Sequence, residues 1–287
     1  MSSVAYILDD KILEFHRYQG NRCINFWRLS LQGFERFDVG DFMFFVDKRK
    51  NHPVTQEKGI IGFGRATAIR AMSPQFLWNT YETENGFPSK EQFYEALVNA
   101  ASIHKIPNQI QSIYLEDVTY FKDAVYLSEI SSDLVQKLDN GIYLEDKGID
   151  LSLRVIEKGI EIGLDPWVEL TNPSEKPLIT IIDEAKVGEV LNSIKIQWTQ
   201  TQEKTIKAYD GSYRAGMFVY KVEENRLKVC APISNFKAQY IEMLGIRAYI
   251  AARIDYLNLQ FVIVSRSTVG KDSEEIIDLT NLELEYI

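Results

Sequence analysis

The sequence predicts an α+β protein: a small N-terminal β-barrel with a helical insert (residues 1–170), followed by a second α+β domain (residues 178–287). Three observations predict it. Short β-branched and aromatic segments punctuated by turn residues fill positions 24–69, and capped helical segments follow over 73–101. A polar stretch with two prolines at 171–177 then separates these from a new set of strands and helices.

Residues 24–31 are β-branched and aromatic and end at Gln32-Gly33, a strand followed by a turn. Val39-Gly40-Asp41 turns into residues 42–46, whose unbroken apolar run predicts burial on both faces, or one face under a helix. Residues 47–58 are polar, contain Pro53 and are expected to form a loop. Residues 59–69 predict a third strand, in which Gly59, Gly62 and Gly64 mark a bulge or a close backbone approach.

Ser73-Pro74 supplies an N-cap and a proline at the first helical position. That helix carries Phe76, Leu77, Trp78 and Tyr81 and stops by Gly86. Ser89 and Gln92 have capping-box spacing and open a helix expected to bury Phe93, Leu97, Ala100 and Ala101. Residues 110–120 and 124–130 return to strand character. Asp150 is placed to cap a helix with Leu153, Ile156 and Ile160 on one face, ended by Gly163 in the left-handed conformation. Beyond the linker, residues 217–222 and 226–233 flank Glu223-Glu224-Asn225 as a hairpin. Ser234 or Asn235 caps a helix with Phe236, Tyr240, Ile241 and Leu244, residues 261–264 read as a buried strand, and residues 276–287 alternate like an edge strand.

Composition narrows the function. With 45% hydrophobic and 25% charged residues the chain has the balance of a soluble globular protein. No run reaches the ~18 apolar residues of a membrane helix, and the first residues lack a basic-then-apolar signal, so a cytoplasmic protein without membrane association is expected. Two cysteines, Cys23 and Cys230, and three dispersed histidines, His16, His52 and His104, have no metal-ligand spacing. No cofactor or metal is expected. The net charge of −9 is unevenly laid out: residues 1–70 hold 11 basic against 8 acidic residues, whereas residues 71–150 hold 5 against 13. A polyanion partner would therefore have to meet the first segment, where Lys48, Arg49 and Lys50 are the candidate phosphate contacts.

Catalytic signals are thin. The Gly59–Gly64 run lacks the Gly-Lys-Ser/Thr ending of a phosphate loop. Asp183, Glu184 and Lys186 follow an apolar stretch and could hold Mg²⁺ in a nuclease, yet Asp183 fits better as the N-cap of a helix through Val187, Val190 and Leu191. Asp210-Gly211-Ser212 reads as a turn, since no histidine in the second half could serve as base, and Cys230 reads as a small buried hydrophobe. The aromatics offer more. Trp27 with Arg28 on a strand, and Trp78 with Tyr81 on a helix, are residue types that stack on unpaired bases; they serve equally well as core.

Taken in order, Asn25-Phe26-Trp27-Arg28-Leu29, the Gly40-Asp41 turn into Phe42–Phe45, the glycine-studded strand Gly59–Gly64, the helical segment 85–93 and the closing strands 113–118 and 123–127 resemble the PUA-like superfamily. Within it they are similar to the EVE-type barrels related to YTH and ASCH domains. Ala124 stands where that family often has proline, and the residues after about 175 resemble no family. The resemblance implies a nucleic-acid reader that holds one modified or flipped base, DNA more than RNA, in restriction-type or phage-defence systems. Such domains are often partnered to a nuclease or motor subunit. It places Asn25, Trp27, Arg28 and Trp78 at the base-binding pocket. The second domain is expected to serve dimerisation or partner docking. The alternatives are a non-catalytic assembly subunit and a metal-dependent nuclease.

Overall fold

The computed structural model describes residues 3–32, 34–101, 105–131, 134, 141–144, 150–174, 178–209, 213–223, 226–254, 258–266 and 282–286. By its contacts the chain divides into two compact units, residues 2–177 and 178–287. His104, the turn at 210–212, Glu224-Asn225 and residues 276–281 of the expected tail strand lie outside the described residues.

The first unit runs β1 (Val4–Ile7), α1 (Asp10–Gln19), β2 (Ile24–Arg28), β3 (Phe42–Asn51), β4 (Lys58–Met72), α2 (Pro74–Tyr81), a 3₁₀ turn (Glu82–Asn85), α3 (Lys90–Ala101), β5 (Ile110–Val125), α4 (Leu127–Ile130), β6 (Ile142–Tyr143), α5 (Leu151–Ile162) and α6 (Pro166–Thr171). Its strands form one sheet in the order β2-β5-β4-β3-β1-β6. The expected barrel is not closed. The second edge of β1 is taken by β6, through Val4 with Tyr143 and Ala5 with Ile142, so no ladder joins it to β2 among the described residues. The curled ends meet through side chains instead: Tyr6 of β1 lies edge-on to Phe26 of β2 with ring centroids 5.2 Å apart.

Two alternating faces follow from the strand period of two. Inside the curl, Val4, Phe26, Met43, Phe45, Ile61, Ile113 and Leu115 form one apolar core. On the opposite face of β3, β4 and β5, Phe42, Phe44, Phe63 and Phe121 form an aromatic chain, and Phe121 packs directly against Gly159 of α5. Burial on both faces of residues 42–46, expected from their apolar run, is what the structure shows. The expected close approach in β4 is at Gly62. A β-carbon there would sit 2.4 Å from the Thr119 carbonyl oxygen, and the ladder to β5 shifts register on either side.

Four local readings change. The segment expected to be a loop from residue 47 begins later, because β3 continues to Asn51, which pairs with Lys58. Residues 110–125 form one strand, and 127–130 form a helical turn rather than a strand. The buried Glu57 carboxylate accepts the Ser128 amide at 3.1 Å and favours that turn. Ala100 is on the exposed side of α3. Gly163 ends α5 with φ 105° and ψ 165°, a glycine conformation outside the left-handed helical region. Ser73 caps α2 as expected, its hydroxyl accepting the Phe76 amide at 3.2 Å.

The second unit contains α7 (Leu178–Ser193), α8 (Gln200–Ala208), β7 (Tyr213–Ala215), β8 (Phe218–Glu223), β9 (Arg226–Pro232), α9 (Phe236–Ala251), β10 (Asn258–Ser265) and β11 (Glu283–Tyr286), with strand order β11-β10-β9-β8-β7. β8 and β9 pair as the expected hairpin, β10 is a buried central strand parallel to both neighbours, and β11 is an edge. Val187 and Leu191 of α7 and Phe236, Met243 and Ile250 of α9 cover one face. Ile206 of α8 packs with Cys230, Val262 and Val264 on the other. Both units mix helix and sheet, the α+β class expected. Because α7 begins at Leu178, Asp183 lies inside that helix and is not its cap.

Candidate nucleic-acid interface

The strand register sorts the expected pocket residues onto opposite faces. Asn25 and Trp27 of β2 pair with Tyr114 and Ser112 of β5 and project toward the helical insert, 73–109. There the Asn25 amide donates to Asn85 Oδ1 at 2.8 Å and its oxygen accepts from the Ser112 hydroxyl at 2.6 Å. The Trp27 indole N–H donates to the Asn85 carbonyl at 3.1 Å, and its ring meets Phe93 edge-on at 5.5 Å. Trp78 reaches the same cluster through Phe93, at 5.6 Å. Asn25, Trp27 and Trp78 are thus brought together, with the insert packed over them: Asn25 is 1% exposed and both indoles are half-buried.

Beside them Tyr81 stacks on Tyr114 with centroids 4.9 Å apart. The Tyr114 hydroxyl hydrogen-bonds to Cys23 and Glu84, and burial pushes both the thiol and the carboxyl up from their ordinary values. A raised thiol is a poor nucleophile.

Arg28 faces the other way, into the curl. Its guanidinium lies over Phe34 at 4.8 Å and over Tyr6 at 5.9 Å, and Phe34 packs edge-on against Tyr6 and Phe37. No carboxylate pairs with Arg28 among the described residues. Arg36, in the chain between β2 and β3, lays its guanidinium 4.0 Å from the centre of the Tyr143 ring, while its amide donates to the Tyr143 hydroxyl. Gln111, the ladder partner of Arg28, has the strand parity of Ile113 and Leu115 and so projects to the same face as Arg28. Its Oε1 is buried without a hydrogen-bond partner among the described residues.

Of the residues on this side, the sequence singles out Arg28 and, among the basic residues of its first segment, Arg36; it does not single out Tyr6, Phe34, Gln111 or Tyr143. A signal existed at Gln111, a polar residue in phase with two apolar core positions.

Lys48, Arg49 and Lys50 are elsewhere. They follow Phe45, the ladder partner of Tyr6, along β3 by three to five residues, roughly 10–17 Å of extended chain. Each is matched by an acid. Lys48 lies 3.3 Å from Asp10, Arg49 bonds to Asp47 at 3.0 Å and to Glu14, and Lys50 lies 3.7 Å from Asp123. Burial raises the Asp47 carboxyl, but the Arg49 side-chain and backbone hydrogen bonds outweigh it and hold the group below its ordinary range.

In the second unit the Asp183–Lys186 segment is helical, with Glu184 buried and Lys186 exposed. Among the described residues no three His, Cys, Asp or Glu side chains are grouped to hold a metal ion. Cys230 donates to Tyr209, is buried as expected, and its thiol is pushed up by that burial. No helix among the described residues is long and apolar enough to cross a membrane.

No protein-family model and no curated protein matches the sequence. Three solved structures of one bacterial protein are similar. The ASCH protein from Zymomonas mobilis is 13% identical with a TM-score of 0.36, covering 54% of this chain and 94% of that one. Two of its point mutants give 16% identity with a TM-score of 0.36, and 15% with 0.37, each covering 56% of this chain and 99% and 96% of theirs. The named likeness is to ASCH structures, at partial coverage and low identity.

Proposed function

We propose that the first unit binds nucleic acid at the open end of its curled sheet, holding one unstacked or flipped base there, in DNA ahead of RNA. The observation that carries this reading is Arg28, a guanidinium resting on Phe34 and Tyr6 with no acidic partner among the described residues, close in sequence and fold to the Arg36–Tyr143 pair. Aromatic faces hold a base by stacking and arginines hold the flanking phosphates, while the acidic remainder of the chain repels extended polyanion contact. A short footprint suits this surface. Anisotropy titrations of labelled single-stranded and duplex oligonucleotides at two salt concentrations test it. Arg28→Ala should weaken binding about tenfold and flatten the salt dependence by roughly the 0.7–0.9 of one phosphate contact. Undiminished binding by a folded Arg28→Ala protein overturns the assignment.

A second reading, the assembly subunit, is favoured by one observation. Tyr18 of α1 and Trp167 of α6 stack at 6.0 Å while 69% and 51% exposed, and Leu170, one turn on, is 81% exposed. Exposed clustered apolar side chains mark interaction surfaces. Concentration-dependent light scattering of wild type against Trp167→Ser, with no oligonucleotide binding in either, would favour it.

A further inference from the structure

We infer that the second unit carries a binding site for a phosphate monoester, the head of a sugar phosphate or mononucleotide, between the starts of β9, β10 and β11 and the last turns of α9.

These elements border a cleft of about 610 Å³. Clefts that hold small molecules run from about 300 to 1,000 Å³. Arg226 and Asn258, the first residues of β9 and β10 and partners in the parallel ladder, line it with Gln260 and with Glu283 at the start of β11. Arg247 and Ala251, one turn apart on α9, line it from the helix side.

The charges around this cleft are unevenly matched. Glu223 of β8 pairs with Lys221, and Glu285 of β11 accepts from Lys228 at 2.7 Å and from the Tyr209 hydroxyl. Glu283 accepts from the Gln260 side-chain amide. Each carboxylate of these strands is thus held by a neighbour. The Arg226 guanidinium makes no hydrogen bond or ion pair among the described residues and acts on Glu223 only as a nearby charge.

One unbonded guanidinium at a surface is ordinary. Two on the lining of one cleft offer forked donors suited to an oxyanion. A carboxylate matches one of them, whereas a phosphate monoester, close to doubly charged at neutral pH, matches both. The rest of the lining limits what the phosphate can be attached to. Glu283 and the carbonyl end of α9, reached at Ala251, are negative, so they repel a chain of further phosphates and accept O–H or N–H donors instead. Asn258 and Gln260 add side-chain amides that pair with hydroxyls. The cleft therefore suits a single phosphate on a polar, hydroxyl-bearing body.

The test titrates the full chain calorimetrically with ribose 5-phosphate, AMP, ATP, adenosine and inorganic phosphate. At least one of the two monoesters should bind about tenfold more tightly than inorganic phosphate, and the stronger of the two identifies the body that the cleft takes. ATP should bind more weakly than AMP, and adenosine should show no measurable heat. Arg226→Gln, a change to an exposed side chain, should weaken monoester binding about tenfold, the loss of a charge-assisted hydrogen bond. Arg247→Gln should do the same, with its Tm read alongside because that side chain is half-buried. The inference is overturned by binding of none of these probes, by inorganic phosphate or adenosine binding as tightly as the monoesters, by ATP binding as tightly as AMP, or by unchanged affinity in a folded Arg226→Gln protein.

Discussion

The Asn25 side-chain amide donates to Asn85 Oδ1 across 2.8 Å, joining β2 to the last residue of the 3₁₀ turn in the insert. Asn85 also donates to the Glu82 carbonyl at 2.9 Å, and its own carbonyl receives the Trp27 indole. One buried asparagine therefore fixes the insert to the sheet at two points, through Asn25 and Trp27, and closes its own turn through Glu82. Asn85→Ala leaves the Asn25 amide buried without an acceptor and should cost about 2–3 kcal/mol in urea denaturation. In a double-mutant cycle with Asn25→Ala the coupling should be about 1 kcal/mol. Strict additivity would show that the two amides act separately.

Glycine substitutions should go in opposite directions in the two units. Gly62→Ala places a β-carbon 2.4 Å from the Thr119 carbonyl oxygen, a backbone atom of the adjoining strand that cannot swing aside. The expected loss is more than about 2 kcal/mol. Gly245 in α9 has nothing within 4 Å of an added β-carbon, and Gly245→Ala should gain about 0.5–1 kcal/mol through helix propensity. Thermal melts of the two variants decide both.

Acid should destabilise the protein well before its carboxylates titrate. His16 Nδ1 faces the Asn21 amide at 3.0 Å, and Nε2 is buried without a partner among the described residues. Burial pushes its pKa down from 6.5 to about 3. The unfolded chain then takes up this proton first, so stability is intact above pH 6.5 and falls as pH drops toward 3, by up to about 1.4 kcal/mol per pH unit. Asp47, held below its ordinary value of 3.8, adds stability that is present above that value and lost beneath it, a separate and lower window. Urea midpoints of wild type and His16→Asn at pH 7 and pH 5 should show a wild-type drop that the variant lacks.

The two arginine sites should separate in binding assays. Arg49 is tied to Asp47 and Glu14, and Arg28 has no acid partner among the described residues. Arg49→Ala is expected to change oligonucleotide affinity less than twofold, against about tenfold for Arg28→Ala. The reverse order would move the phosphate contacts to the α1 end of β3.

Local chemistry was legible and long-range pairing was not. Ser73-Pro74, the hairpin at 218–232 and the apolar strand 42–46 announce themselves through caps, turns and runs whose causes lie within a few residues. The faces of β2 did not: Trp27 and Arg28 are neighbours in sequence and lie on opposite sides of the sheet. Which side holds the opening depends on β5, more than 80 residues on. Asp183 does not cap α7 because the helix opens on the apolar run Leu178-Ile179-Thr180-Ile181-Ile182, so the first acid of the segment comes more than a turn after its start. The reach of β3 to Asn51 came from pairing with Lys58, which a run of charges conceals.

Met72 and Ile110 are ladder partners, so the chain leaves the sheet for the insert and returns to it at adjoining positions. In topological terms the insert is an excursion hung on a hairpin, and changes of length within 73–109 need not disturb the strand alignment on either side. A tight turn joining residue 72 to residue 110 would convert the excursion into a plain hairpin and unroof Asn25 and Trp27 while leaving Arg28 and Phe34, on the other face, as they are. The fold thus allows the roof over one face to be edited independently of the opening on the other.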